Sequence, residues 1–247
     1  MVNLDIDWYC RVYDDFLDPQ ICTQYVDKFE ETITKDVKRH KELSVCYRND
    51  GSMICSNCDC MRTNPMEYER FSDLNTYLIP KWEKSVERYK EDVGIDHHQW
   101  PKTYGWEELR MKKYRVDSNK GHGLELHTDV YSYAHAKRFL AMMIYLNDDF
   151  EDGETHFPLF ETKVKPKIGR LLIFPPTWNY LHQGLPPQPP SKRGAKYFIM
   201  THLVYVDEGD HVNIGIDFSD RTEAARDQVS VEMDKKNRGL QMWPKNH

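Results

Sequence analysis

The sequence predicts a mainly β protein with flanking helices, and two patterns support this fold class. From residue 107 to about residue 206, segments of roughly five to eight residues alternate or run apolar, and each is bounded by Gly, Pro, Asp or Asn. RFLAMMIYLN and KYFIMTHLVYV are examples. Such segments are typical of antiparallel strands joined by hairpin-like turns, as in a sandwich or jelly roll. Before residue 107, apolar residues instead recur at helical spacing.

Two helices are predicted in the N-terminal part of the chain. Residues 9–31 predict a short strand followed by an amphipathic helix, which begins at Asp18-Pro19 because proline suits the first helical position. Apolar residues at periods of three and four predict a second helix over about residues 66–93. Pro80 falls inside this pattern and is expected to kink or split the helix.

The segment between these helices is polar and contains a cysteine cluster. Residues 32–52 are expected to be irregular, and residues 55–63 are expected to form a strand. Cys55, Cys58 and Cys60 follow a CxxCxC pattern, for which a structural zinc site is the alternative. Because no second CxxC or paired histidine accompanies the pattern, the strand is the preferred interpretation.

The predicted organisation is one domain over residues 1–247. Residues 1–106 form a support region of helices and strands, residues 107–206 form the β core, and residues 207–247 form a charged C-terminal extension. Within the extension, residues 222–236 could form a surface helix. The sequence predicts neither the role of this extension nor the oligomeric state.

Composition argues against several classes of protein. Lys and Arg number 34 against 40 Asp and Glu, so the net charge is -6 and the isoelectric point is near 6.0. This balance does not favour nucleic acid as a partner, since binding a phosphate backbone requires excess cations. No apolar stretch approaches the roughly 20 residues of a membrane helix. The start lacks the order of a secretory signal, and the six cysteines are interpreted as reduced thiols in a cytoplasm.

Candidate metal ligands occur in the strings LHTDV and NYLHQG. In a strand, His127 and Asp129 would point to the same face, and His182 from a neighbouring strand could join them. Two imidazoles and one carboxylate form the ligand set of non-haem Fe(II) oxygenases, which leaves positions open for co-substrate and O₂. With eleven histidines in the chain, such a spacing also arises by chance, so the surrounding strings decide the interpretation.

The surrounding strings resemble a known enzyme family. MKKYRV, LHTD, RFLAMMIYLNDDFEDGETHFP, VKPKIGRLLIFPPTWNYLHQG and RGAKYFIMTHLVY follow in this order. Together they resemble the Fe(II)/2-oxoglutarate-dependent dioxygenases, most closely the prolyl 4-hydroxylase-like branch, and VYDDFLDPQICTQYV resembles the family's entry strand and helix. The resemblance implies a double-stranded β-helix core (jelly-roll or cupin-like) and Fe(II) bound by His127, Asp129 and His182.

The resemblance also implies residues that bind 2-oxoglutarate. Lys196, in the string Gly-Ala-Lys-Tyr, matches the cation that pairs with the distal carboxylate, although it lies 14 positions after the second histidine because of a proline-rich insertion. Lys192 and Arg193 are rivals by spacing, but they are predicted to lie in a loop. Tyr145 matches a position that contacts the same carboxylate, and Tyr114 matches a position that lines the co-substrate pocket. Ordinary core packing is the alternative for both tyrosines.

Three further residues are expected on the substrate side. Arg138 matches a position near the entrance, with a solvated arginine as the alternative, and Tyr131 lies in a loop that could line a peptide groove. His202 stands where relatives often carry tryptophan, and strand alternation places it on the face of Lys196. Gly153 and Gly169 match turn positions and are interpreted as structural, since glycine permits a positive φ.

The activity implied is hydroxylation of an unactivated C–H bond, with 2-oxoglutarate and O₂ consumed and succinate and CO₂ released. Fe(II) is the implied metal, ascorbate is an implied further cofactor, and a prolyl residue in a peptide or protein is the implied substrate. One alternative is a dioxygenase that acts on a free amino acid or another small molecule. Another is a binding module without catalysis, which loss of a ligand or of the cation would favour. A third is an interaction protein that depends on residues 207–247.

Overall fold

The computed structural model describes residues 9–35, 46–47, 53–55, 58–62, 69–107, 109–116 and 122–206, with backbone alone over 46–62. The predicted surface helix over 222–236 and the rest of the 207–247 extension lie outside the described residues. The side chains of Cys55, Cys58 and Cys60 are also outside the described part of the structure, so the alternative of a zinc site is not tested. The single-domain arrangement of the entire chain therefore stays a prediction.

The first predicted strand and helix are both present. Strand β1 is Arg11–Tyr13 and helix α1 is Pro19–Lys35. The Asp18 carboxylate accepts a hydrogen bond from the backbone N–H of Gln20 at 2.7 Å, which satisfies one of the free donors at the helix start. The helix continues four residues past the predicted end, so the first part of the segment expected to be irregular is helical. Ile33 continues the apolar face and packs against the core.

The second helix is continuous, so the expected split at Pro80 is wrong, whereas a kink there stays a prediction. A 3₁₀ turn, Glu69–Phe71, leads into helix α2, which spans Ser72–Val93. Pro80 is exposed, and the carbonyl of Thr76 that loses its helical donor can be solvated on that face. In the described part of the chain, no helix is long and apolar enough to cross a membrane.

The strands that follow confirm the predicted β fold. The described residues form the further strands β2 Cys46–Tyr47, β3 Met53–Cys55, β4 Cys58–Arg62, β5 Tyr104–Trp106, β6 Arg110–Arg115, β7 Leu124–His127, β8 Arg138–Tyr145, β9 Glu151–Asp152, β10 Thr155–Phe157, β11 Thr162–Val164, β12 Leu171–Phe174, β13 His182–Gly184, β14 Pro187–Gln188 and β15 Ala195–Tyr205. The major sheet has the order β1-β12-β8-β15-β6-β4, with β5 also paired to β15, and the minor sheet has the order β11-β10-β13-β7. All recorded strand pairs of these sheets are antiparallel, as in a jelly roll.

The N-terminal region contributes strands to this sheet. β1, β4 and β5 all precede residue 107, yet each pairs with a strand of the major sheet. The boundary drawn at residue 107 from the sequence therefore passes through the sheet, because pairing between strands depends on contacts that are distant in sequence.

Alternation along the central strands divides the core into two layers. On β8, Leu140, Met142 and Ile144 pack with the helices, whereas Ala141, Met143 and Tyr145 pack between the two sheets. The same alternation on β15 places its even-numbered side chains, which include Lys196, Phe198 and Met200, toward the space between the sheets. The sheets therefore enclose a cavity, and the helices support the major sheet from behind.

Candidate metal centre

The structure brings the three predicted metal ligands together. His127 is the last residue of β7, and His182 begins β13 and pairs directly with His127. Asp129 follows the end of β7 in a bend, so its position comes from the loop and not from strand alternation. The Nε2 atom of His127 lies 3.4 Å from Oδ1 of Asp129, and Nε2 of His182 lies 3.9 Å from Oδ2. The three candidate ligand atoms lie within 4.8 Å of one another.

Backbone carbonyls orient both imidazole rings. Nδ1 of His127 lies 2.7 Å from the carbonyl oxygen of Glu125, and Nδ1 of His182 lies 2.9 Å from that of Tyr180. Because a carbonyl oxygen only accepts, each Nδ1 must donate its proton, which leaves the Nε2 lone pair for a metal. Burial lowers the pKa of His182 to about 4, so this ring is neutral at physiological pH.

The carboxylate of Asp129 is buried and ionised. Burial alone would raise its pKa, but His202, His127 and His182 together hold the pKa well below its usual range. The Nε2 atom of His202 lies 3.1 Å from Oδ2 of Asp129. His202 is fully buried, and among the described residues it does not line the cavity. The structure thus places His202 behind the candidate metal ligand Asp129, and its expected contact with substrate stays a prediction.

A second carboxylate supports His202 from the other side. Nδ1 of His202 lies 3.1 Å from Oε2 of Glu107, and Arg138 donates from Nε to Oε1 of Glu107 at 2.6 Å. Arg110 also pairs with Glu107. Burial would raise the pKa of Glu107, but the hydrogen bonds from His202 and Arg138 and the charge of Arg110 lower it. A chain of contacts from Arg138 through Glu107 and His202 therefore ends on Asp129.

Arg138 contributes a second contact to this arrangement. Its Nη1 donates to the backbone carbonyl of Asp129 at 3.0 Å, so one guanidinium holds both Glu107 and the bend that carries Asp129. The side chain of Arg138 is largely buried, so the alternative interpretation as a solvated arginine is wrong. A role of Arg138 in substrate binding stays a prediction.

Lys196 lies where a carboxylate could pair with it. It is buried, and its Nζ donates to the carbonyl of Gly153 at 2.6 Å. The same Nζ lies 5.3 to 5.7 Å from the ring centroids of Tyr114, Tyr145 and Phe198. Burial lowers the pKa of Lys196 to about 7, partly offset by the charge of Glu154. The rivals Lys192 and Arg193 are exposed in the preceding loop.

The two predicted co-substrate tyrosines both lie in the core beside Lys196. The hydroxyl of Tyr145 is 2.6 Å from Oγ1 of Thr155, and burial raises its pKa. The ring of Tyr114 packs edge-on against Phe198 with centroids 5.1 Å apart. Tyr114 lines the cavity, whereas Tyr145 packs in the core cluster next to it. Their contacts with co-substrate stay predictions.

Loops with exposed aromatic residues flank the ligands. Tyr131 is half exposed and packs against His135 with ring centroids 4.8 Å apart. Trp178, which is 81% exposed, lies in the loop that leads to His182. The backbone N–H of Val130 donates to the carbonyl of Pro176 at 3.2 Å, so the two loops lie side by side.

Comparison with known proteins agrees with this geometry. Residues 109–205 match the model of the 2OG-Fe(II) oxygenase superfamily. A putative prolyl 4-hydroxylase of Acanthamoeba polyphaga mimivirus is 43% identical over 58 residues, which are 20% of this chain and 24% of that protein. The match therefore spans about a quarter of the relative's length.

Solved structures show the same fold. The 2OG complex of a viral collagen prolyl hydroxylase from Paramecium Bursaria Chlorella virus-1 has a TM-score of 0.55 at 21% identity, covering 81% of this chain and 97% of that one. A Trichoplax adhaerens prolyl hydroxylase, in complex with a hypoxia inducible factor peptide fragment, has a TM-score of 0.62 at 16% identity, covering 82% and 88%. At these identities the likeness establishes the fold.

The residues of this site fit Fe(II) and 2-oxoglutarate, the metal and the co-substrate that the matched superfamily implies. Two Nε2 lone pairs and one ionised carboxylate converge on one point, as a 2-His-1-carboxylate Fe(II) site requires. The buried ammonium of Lys196 donates to the carbonyl of Gly153, and it is suited to pair with the distal carboxylate of 2-oxoglutarate as well. The sequence-based prediction did not include Glu107 or Lys112, which also lines the cavity. Lys112 could have been found from the alternation that places it on the face of Tyr114.

Proposed function

We propose that the protein is an Fe(II)- and 2-oxoglutarate-dependent dioxygenase that hydroxylates an unactivated C–H bond. The observation that carries this proposal is the convergence of His127, Asp129 and His182 within one cavity that also contains Lys196. Bound Fe(II), 2-oxoglutarate and O₂ would together supply the oxidant, with succinate and CO₂ released. This hard step belongs to the metal and co-substrate, and the protein provides binding and orientation.

Each part of the cavity has a separate role in this proposal. His127, Asp129 and His182 hold the metal and leave three positions open. Lys196, which lines the same cavity, pairs with the distal carboxylate of 2-oxoglutarate and so fixes its direction. Phe174 and Phe198 line the space between and exclude water from it.

For the substrate, we propose a prolyl residue in a peptide or protein. The names of the matched proteins, which are prolyl hydroxylases, support this choice. The exposed rings of Tyr131 and Trp178 on adjacent loops also suit an extended peptide, since aromatic faces pack well on prolyl rings. A free amino acid or small molecule is the second candidate, because the buried cation of Lys112 in the cavity could pair with its carboxylate. The complete ligand set disfavours a binding module without catalysis.

The test is an anaerobic titration with Fe(II) and 2-oxoglutarate, followed by O₂ and ascorbate. Succinate is quantified, and proline-containing peptides are analysed for the added mass of one oxygen atom. His127→Ala and Asp129→Ala should abolish metal-dependent 2-oxoglutarate binding. His156→Ala is the matched control, because His156 lies on the neighbouring strand and bonds to Gln183 instead.

The outcomes separate the parts of the proposal. Succinate formed without peptide hydroxylation would retain the enzyme class and reject the prolyl substrate. Absence of metal-dependent 2-oxoglutarate binding would reject the class. Omitting ascorbate tests whether it sustains turnover, and the predicted cytoplasmic location is tested by cell fractionation.

A further inference from the structure

A second buried lysine lies in the cavity that contains the candidate metal centre. Lys112 on β6 is 8% exposed and lines the cavity together with His127, Asp129 and Lys196. Its side chain points inward because it alternates with Lys113, whose Nζ lies 2.7 Å from Glu30 on the other face of the sheet.

Within the described part of the chain, the Lys112 ammonium has no hydrogen-bond acceptor and no carboxylate partner. Its recorded contact is with the ring of Phe198, whose centroid lies 5.9 Å from Nζ. Arg110, which also points inward from β6, pairs with Glu107. A cation removed from water without a partner is costly, so a residue in this state indicates a site that a ligand completes.

The position of Lys112 separates it from the predicted co-substrate cation. In the sheet, Tyr114 is opposite Lys196 and Lys112 is opposite Phe198. Lys112 is therefore displaced from Lys196 by two residues along the strand, about 7 Å at the usual rise. Both ammonium groups lie beside the ring of Phe198, with Nζ of Lys112 5.9 Å and Nζ of Lys196 5.3 Å from its centroid. One cation is enough for the distal carboxylate of 2-oxoglutarate, which leaves Lys112 available for a different anion.

The charges of the cavity leave room for one more anion. One Fe(II) ion and Lys196 would balance Asp129 and the two carboxylates of 2-oxoglutarate. Lys112 then adds one uncompensated positive charge to the loaded cavity. A neutral substrate would leave that charge buried, whereas a substrate with a carboxylate would neutralise it.

We propose that Lys112 forms an anion-binding subsite that takes a carboxylate of the substrate close to the hydroxylated carbon. The inference rests on the proposed function and deepens it, because it names the chemistry of the substrate. The carboxylate could be the acidic side chain beside the target residue of a peptide, or the free carboxylate of a single amino acid. The subsite requires the same chemistry in both cases, and the experiment distinguishes the two sources.

The experiment compares ligands that differ by one carboxylate. Protein loaded with Mn(II) and 2-oxoglutarate under nitrogen is titrated calorimetrically with three matched pairs. They are Ac-Gly-Glu-Pro-Gly-NH₂ against its Gln counterpart, Ac-Gly-Pro-Glu-Gly-NH₂ against its Gln counterpart, and L-proline against L-prolinamide. The variants are Lys112→Met, which retains the length and removes the charge, and Lys113→Met, which removes the adjacent charge from the outer face.

The wild-type protein should bind the acidic member of at least one pair about ten to a hundred times more tightly, as one hydrogen bond to a charged group allows. Lys112→Met should reduce this ratio to about one, and Lys113→Met should leave it unchanged. Preference within a peptide pair identifies an acidic peptide, and preference within the proline pair identifies a free amino acid. Equal affinity within every pair, or a preference that survives Lys112→Met, overturns the proposal.

Two further measurements separate the subsite from other roles of Lys112. The affinity for 2-oxoglutarate should be the same in Lys112→Met and wild type, and a tenfold loss would assign Lys112 to the co-substrate instead. In the metal-free protein, Lys112→Met should not lower the thermal midpoint, whereas Lys113→Met should lower it by breaking the pair with Glu30. An equal loss in both variants would show a structural lysine and overturn the proposal. A carboxylate preference without Fe(II)-dependent succinate would reject the proposed activity alone.

Discussion

Replacing His202 by leucine tests whether the chain of contacts from Glu107 through His202 holds the candidate metal ligand Asp129 in place. In the structure, His202 connects Oδ2 of Asp129 with Oε2 of Glu107 through two contacts of 3.1 Å. Leucine fills a similar space but donates no hydrogen bond. The buried carboxylate of Asp129 and the partly buried carboxylate of Glu107 therefore each lose a partner. We expect the metal affinity to fall, because the carboxylate of Asp129 would no longer be held in the direction of the two histidines.

The size of the effect follows from one charged hydrogen bond. Such a bond contributes about 1.5–3 kcal/mol, and each 1.4 kcal/mol corresponds to about tenfold in affinity. His202→Leu should therefore weaken Fe(II) or Mn(II) binding by about 10–100-fold, the range typical of partners that orient metal ligands. His202→Gln can still donate to one carboxylate, and it should recover part of this loss.

The assay is calorimetric Mn(II) titration of folded protein, with folding checked by circular dichroism. His156→Ala serves as the control, since it removes a nearby imidazole that does not touch Asp129. A folded His202→Leu protein that binds metal within twofold of wild type would refute the reasoning. Equal losses in His202→Leu and His156→Ala would refute it as well, because the effect would not depend on contact with Asp129.

Three further predictions concern the co-substrate cation and the stability of the fold. Because burial lowers the pKa of Lys196 to about 7, the 2-oxoglutarate affinity measured by calorimetry should fall as pH rises above 7, by up to about tenfold per unit, and Lys196→Arg should remove this dependence. A pH-independent affinity in wild type would contradict this expectation. Gly169 has a φ of +75°, and an added Cβ would clash with the carbonyl oxygen of Leu17. Gly169→Ala should therefore lower the free energy of unfolding by at least about 1–3 kcal/mol, the usual cost of a strained backbone conformation. Gly94→Ala, at an open site with a similar φ, should cost less in the same urea titration, and equal costs would argue against the close contact. Arg170, which donates to Asp14 at 2.6 Å, holds the pKa of that carboxyl at about 2, below its unfolded value, so the pair stabilises the fold at neutral pH and is lost as pH falls from about 4 to 2. At this exposed site Asp14→Asn should cost at most about 1 kcal/mol at pH 7, and a loss that persists unchanged at pH 2 would contradict the assignment.

The proximity of the three candidate metal ligands was predictable, because residues two apart on one strand and a residue on a neighbouring strand can reach one point. The strings around His127 and His182 indicated strands, and the two histidines are directly paired in the minor sheet. Asp129 was predicted correctly as a neighbour, although the strand ends before it. Lys196 was likewise predicted from its string, and the structure places it in the same cavity.

The parts that the sequence did not predict depend on contacts between distant segments. Alternation predicted the face on which His202 lies, but the reach of its ring to Asp129 depends on the bend after β7. Glu107 follows β5, a strand that pairs with β15 across almost one hundred positions of sequence, about as many as separate Glu107 from His202. Pro80 was expected to kink or split α2, but the helix is not split, because Pro80 lies on a face exposed to solvent.

The most direct test of the central claim is succinate formation by the purified protein. Protein freed of metal by chelation is given 2-oxoglutarate and O₂ with or without Fe(II), and succinate is quantified for wild type, His182→Ala and His156→Ala. We expect succinate in wild type and His156→Ala only when Fe(II) is present, and none with His182→Ala. Succinate that does not depend on Fe(II), or that is still formed without His182, would show that this cavity is not an Fe(II)-dependent dioxygenase site.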